Sequence, residues 1–189
     1  DVLQSRGLGD VYKRQVGRSS IHKSIQIGAS VTAIDINEDI LNELKNQYGE
    51  NITTLISGSE SATNAIRSAD LVVGAVLLPG RKPPIVITEE DISSMEKGSV
   101  IVDVAIDQGG CVEGVKPNTH SEPFEIRSGV IVSAIANLPG AVPRTSSIEL
   151  STNLQKYVDY LLVENWFDEY KNNESLRPSL QIHLSLIHI

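Results

Sequence analysis

Two aspartates stand where an apolar run gives out, and each could do chemistry. Asp35 closes the β-branched stretch of "SVTAIDIN" (30–37), and Asp107 follows the apolar run of "VDVAIDQGGCVEG" (102–114). A carboxylate at the end of a strand can accept hydrogen bonds from both hydroxyls of an adenine ribose, and its charge repels an added 2′-phosphate. Asp35 lies 18 residues after Gly17, close to the spacing of about 20 residues between a glycine-rich phosphate turn and such an acid. An aspartate ending a strand with no ligand is also common. Asp107 precedes Gly109-Gly110, whose lack of side chains lets backbone approach a bound molecule closely. A turn-capping aspartate would look the same.

Further upstream, "GLGDVYKRQVG" (7–17) holds Gly7 and Gly9 at the spacing of the first two glycines of a dinucleotide fingerprint, with Tyr12 in the third place. No apolar strand is read ahead of them, so that spacing is taken as accidental. Only Val16 and Gly17 belong to the domain. The remaining candidates are weaker. His22, His120, His183 and His188 share no metal-ligand spacing, and no metal site is expected. Cys111 is the one cysteine, with no base identifiable beside it, and reads as a small buried residue. The acids at 89–91 open a helix, and Lys82 and Arg144 read as solvated loop charges.

Several elements must position these residues. Asn37 predicts a cap for a helix over 38–48 with an Ile40, Leu41, Leu44 and Tyr48 stripe, ended by Gly49. A short helix is read over 19–29, a strand over 51–57 and a helix capped by Ser59. Apolar strands follow at 70–78, 99–106 and 130–136, with a helix capped by Thr88 between the first two. A long amphipathic helix covers 146–170. Strand and helix alternate from 30 to 136, which predicts an α/β fold, a doubly wound parallel sheet. Ligands bind such sheets at the carboxyl ends of the strands. Those ends are Asp35, Ala75 to Leu77, Val104 to Asp107 and Ala136 to Pro139.

Composition narrows the class. The 189 residues are 40% hydrophobic, 21% charged and 4% aromatic, a globular profile with a core of aliphatic side chains. A net charge of −8 argues against a nucleic-acid partner. No apolar run reaches the roughly 20 residues of a membrane helix, and the start of the chain lacks a signal-peptide core. With a single cysteine, a reducing cytoplasm is the expected location.

Three strings go further. "ADLVVGAVLLPGRKPP" (69–84), "KGSVIVDVAIDQGGCVEG" (97–114) and "IANLPGAVPRTSSIEL" (135–150) closely resemble the alanine dehydrogenase family, in its NAD-binding domain and the segment after it. The resemblance runs from about Val16 to about Ile182. It implies a Rossmann-like domain binding NAD, and the reversible oxidative deamination of L-alanine to pyruvate and ammonia. By the same resemblance Gly17 matches the last glycine of the phosphate turn, and Asp35 the ribose-binding acid. Ser57, Ala75 and Val76 would line the adenosine side, and Val104, Asp107, Asn137 and Leu138 the nicotinamide end. Asp107 matches the family's catalytic aspartate. A homo-oligomer is implied, a hexamer by resemblance.

The departures shape the domain reading. Residues 1–15 stand in place of the family's first strand and earlier glycines, so the sheet is expected to lack its first, central strand. Residues 16–140 are read as the truncated NAD-binding domain, 141–182 as the C-terminal helical segment and 183–189 as a tail foreign to the family. Both ends are set aside from the fold as foreign sequence. The family's N-terminal substrate lobe, with its catalytic histidine and its substrate-holding lysine and arginine, is missing, and the chain is expected to be inactive alone. A lysine expected after the ribose-binding acid is here Ile40. The NAD-binding component of proton-translocating transhydrogenase is a rival reading, and a non-catalytic nucleotide-binding or oligomerisation module another.

Overall fold

The β-branched runs become strands and the capped stripes become helices in the computed structural model, which describes residues 2–4, 15–76, 78, 81–162, 182–183 and 186–187. Chain contacts divide it into two units, Asp1–Leu138 and Pro139–Ile189. The first unit begins with β1 (Val2–Gln4), α1 (Gln15–Gln26), β2 (Val31–Asp35), α2 (Glu38–Tyr48) and β3 (Ile52–Ile56). It continues with α3 (Glu60–Arg67), β4 (Leu71–Gly74), α4 (Glu89–Ser94), β5 (Val100–Asp103), β6 (Glu125–Arg127) and β7 (Val130–Ser133).

These seven strands form one sheet in the order β3-β2-β1-β4-β5-β7-β6. All neighbouring pairs are parallel except β6 with β7. Successive strand residues point to opposite faces, and the two faces carry different helices. Val31, Ala33, Ile52 and Val73 pack against Ile21 of α1 and Leu41 and Leu44 of α2. Ile34, Val72, Ile101, Val130 and Val132 pack on the other side against Ala62 and Ile66 of α3 and Ile92 of α4. Burying each large side chain contributes about 1.5–3 kcal/mol relative to leaving it in water. The sheet is therefore doubly wound, as the alternation predicted.

Local signals hold where a cap fixes them. The Asn37 side chain accepts hydrogen bonds from the Asp39 and Ile40 amides at 2.9 and 3.4 Å, and Gly49 closes α2 at a φ of 58°. Ser59 accepts from the Ala62 amide at 3.1 Å. Thr88 and Asp91 make a reciprocal capping box at the start of α4.

Asp91 carries a pH-dependent share of stability. Burial disfavours its charge, but the Thr88 hydroxyl and amide and the Arg67 guanidinium outweigh burial and hold its carboxyl below the ordinary 3.8. Arg67 Nε stands 3.0 Å from Asp91. A carboxyl depressed on folding stabilises above its unfolded value, and loses that contribution as pH falls through its folded one. Asp91→Asn is expected to be less stable than the parent at pH 7. In urea titrations at decreasing pH, the gap should close below 3.8.

The structure departs from the sequence reading in several places. The central position of the sheet is filled: Val2–Gln4 pairs in parallel with Thr32 to Ile34 on one side and Val72 to Gly74 on the other. The sequence pattern instead places residues 1–15 outside the sheet, with two ladders bare. Unpaired backbone groups at the centre of a sheet are costly, and a short extended segment satisfies them. Gly7, Gly9 and Tyr12 lie outside the described residues. α1 starts at Gln15, ahead of the helix read from 19. β4 ends at Gly74 and β5 at Asp103, both shorter than their apolar runs. β6, unforeseen, turns back through Ser128 and Gly129, at φ of 53° and 88°, to pair antiparallel with β7.

In the second unit, α5 (Pro143–Leu161) begins with a proline at its first helical position, where no amide is needed. Its apolar residues Ile148, Leu150, Leu154 and Val158 are exposed. Positions 163–170 of the helix read over 146–170 lie outside the described residues. β8 (Ile182–His183) and β9 (Leu186–Ile187) form an antiparallel pair, which starts at the last residue of the segment read as helical, 141–182, and continues into the tail read over 183–189.

Candidate functional site

Because β2, β3, β4, β5 and β7 are parallel, their carboxyl ends share one edge of the sheet. Every candidate residue except Gly17 forms or follows one of those ends. Gly17 is buried within the first turn of α1, the helix that follows the central strand.

Asp35 is the last residue of β2 and only 2% exposed. Its Oδ1 accepts the Asn37 amide at 2.9 Å, so the carboxylate is oriented by the turn that starts α2. The Ser57 amide donates to the Asp35 carbonyl at 2.9 Å, which brings Ser57 beside it at the end of β3. Acid, serine and helix start therefore form one constellation.

Ala75 and Val76 follow β4. Val76 is 1% exposed and packs with Ala105 and Cys111, so a ligand at this edge would meet its backbone rather than its side chain. Val104 to Gln108 form a 3-10 helix after β5 that carries Asp107 on its exposed side. Asp107 Oδ1 accepts the Asn137 amide at 3.1 Å. Asn137 holds a φ of 54°, a left-handed conformation that asparagine tolerates better than most residues. It is followed by Leu138, where the next 3-10 turn starts. The ends of β5 and β7 are thus tied together through the candidate catalytic acid.

Sequence reading missed Asp103. It is the last residue of β5 and 0% exposed. Its Oδ1 accepts the Ala105 amide at 3.0 Å, and its Oδ2 the Cys111 and Val112 amides at 2.8 and 3.1 Å. The Cys111 thiol donates to Oδ1 at 3.4 Å. An acid at this register of an apolar strand was the available signal, because a buried carboxylate must find donors. The capture of Ala105 also explains why β5 stops at Asp103. Burial first, then the Asp103 charge, pushes the Cys111 thiol far up, which favours its protonated form.

Among the described residues, no three acids, histidines or cysteines gather as metal ligands, and no helix is long and apolar enough to cross a membrane. His22 and His120 are exposed, and His188 lies outside the described residues. Lys82 is exposed, and its aliphatic chain lies over Gly109. A shallow depression lined by Ala29, Ser30, Asn51 and Thr53 sits at the amino ends of β2 and β3, the edge opposite all the candidates.

Residues 15–188 match the family described as "Alanine dehydrogenase/PNT, C-terminal domain". Among relatives, the chain is 43% identical over 166 residues to an alanine dehydrogenase of Bacillus subtilis (strain 168), covering 87% of this chain and 44% of that protein. A solved L-alanine dehydrogenase superposes with a TM-score of 0.81 at 34% identity, covering 98% of this chain and 50% of the other. A transhydrogenase from Sinorhizobium meliloti superposes with a TM-score of 0.68 at 25% identity, over 85% of this chain and 44% of the other. The chain spans about half the length of the curated relatives it matches. With the match running from α1 through β2 to β7 and their carboxyl edge to the C-terminal helix, the chain belongs to the alanine dehydrogenase/PNT C-terminal domain family.

Proposed function

We propose that this chain is the NAD-binding part, with the following helical segment, of an NAD-dependent L-alanine dehydrogenase. The observation that carries the reading is the shared edge: a buried, oriented Asp35 at one strand end and an exposed Asp107 braced by Asn137 at another. The donor set fits the cofactor. Asp35 offers acceptor oxygens suited to a ribose diol, and Ser57 stands beside it. Ala75, Val76, Val104, Asn137 and Leu138 continue the same edge, and Gly17 lies in the first turn of α1, the helix that would follow a phosphate turn.

When bound, NAD supplies the hydride acceptor for oxidation of L-alanine to pyruvate and ammonia. The protein's task is to orient and to screen. Asp107 holds the substrate nitrogen or the attacking water through its carboxylate. Asn137 fixes the angle of that carboxylate. A substrate lobe has to provide the groups that grip the substrate carboxylate, so the chain alone binds cofactor without turnover. We also propose a cytoplasmic homo-oligomer, a hexamer, with no nucleic-acid partner.

Fluorescence titration of the purified chain with NADH tests this directly. Saturable binding is expected, with no NAD reduction on adding L-alanine, and activity should appear once the amino-terminal half of a relative is joined on. Absence of NADH binding, or turnover by the chain alone, would overturn the reading. The transhydrogenase likeness supports a second reading, a nucleotide-binding component of that enzyme. A joined chain that bound NADH yet never oxidised L-alanine would favour it.

A further inference from the structure

We propose that Asp103 is a positioning residue, the clasp that shapes loop 104–112 and so presents Val104 and Asp107 to the nicotinamide end of the cofactor. The proposal rests on the NAD-binding reading above.

The loop is built around this one carboxylate. Its two oxygens take amides from both ends of the loop, Ala105 at the start and Cys111 and Val112 at the finish. Between those ends, Gly109 and Gly110 hold φ of 107° and 75°, which turns the chain back toward Asp103. A Cβ on Gly110 would stand 2.9 Å from Asp103 Oδ2 and 2.6 Å from Val115 Cγ1. A Cβ on Gly74 would stand 2.5 Å from Cys111 Sγ. Both glycines thus leave room for the clasp itself. Asp107 sits between the clasped ends, with its own side chain fixed to Asn137.

Asparagine cannot replace the carboxylate here. Each oxygen of Asp103 faces donors only: the Ala105 amide and Cys111 thiol on Oδ1, the Cys111 and Val112 amides on Oδ2. An amide has one acceptor oxygen, so either orientation sets an NH2 group against N–H or S–H. The loop then reopens, while Asp35 at the end of β2 and Ser57 just after β3 keep their own bond.

The test compares NADH with ADP-ribose, which lacks the nicotinamide, on the chain and on Asp103→Asn. Asp103→Asn is expected to lower NADH affinity by about fivefold or more, the worth of roughly 1 kcal/mol of charge-assisted bonding. ADP-ribose affinity should stay within about twofold. Equal losses for both ligands, or no loss for either, would overturn the proposal. A parent chain that bound neither ligand would overturn the NAD-binding reading and this inference with it. Should Asp103→Asn fail to fold, hydrogen exchange on the parent decides. NADH, and not ADP-ribose, should further slow exchange across 104–112. Equal slowing by both would refute the clasp's link to the nicotinamide end.

Discussion

Replacing Asp107 with asparagine, in the chain joined to a substrate lobe, is expected to cut L-alanine-dependent NAD reduction by about 10²–10⁴-fold. Asparagine keeps an oxygen for the Asn137 amide, so the bond at 3.1 Å and the loop geometry survive. What disappears is the negative charge and one acceptor, the two properties a group holding an amine or a water beside the reacting carbon needs. NADH affinity of the same variant should stay within about threefold, because the adenosine side lies on other strands. Steady-state rates and NADH titration together check this. An Asp107→Asn enzyme with near-parental kcat would remove Asp107 from catalysis.

The second large effect concerns cofactor choice. Asp35→Asn is expected to weaken NADH binding by about 10–100-fold, since hydrogen bonds to a charged acceptor are worth about 1.5–3 kcal/mol each. NADPH should suffer less, because a neutral amide no longer repels the 2′-phosphate. The ratio of the two affinities is therefore the informative readout. It separates a ribose contact from general damage, which would lower both alike. The Asn37 amide, 2.9 Å from Asp35 Oδ1, still meets an oxygen in this variant, so the start of α2 is preserved. An unchanged ratio would take Asp35 out of the ribose site.

How far the site was legible depended on the range of each contact. Asp35 could be placed from sequence because its setting is local, a β-branched run followed at once by the Asn37 cap. Asp107 could be located but not oriented, since the amide that braces it belongs to Asn137, 30 residues on. Asp103 was invisible for a similar reason. Its strand reads as one apolar run to Ile106, and only the return of Cys111 and Val112 shows why that run breaks. β6 was missed because "EIR" carries little apolar signal, and it forms through pairing with β7. β1 was misread because its three residues make sense only between partners found much later in the chain.

That short β1 has a mechanical consequence. In backbone hydrogen bonds among the described residues, β3-β2 and β4-β5-β7-β6 are separate half-sheets, joined through Val2–Gln4. Asp35 and Ser57 belong to the first half, and Ala75, Val76, Val104, Asp107 and Asn137 to the second. A dinucleotide laid along the carboxyl edge would bridge that seam and act as a staple. Its binding energy would add to the cohesion of the sheet as RT ln(1 + [L]/Kd). Bound dinucleotide would thus add a third tie across this line, beside the β1 backbone and the side-chain cores that join Ile34 to Val72 on one face and Ala33 to Val73 on the other.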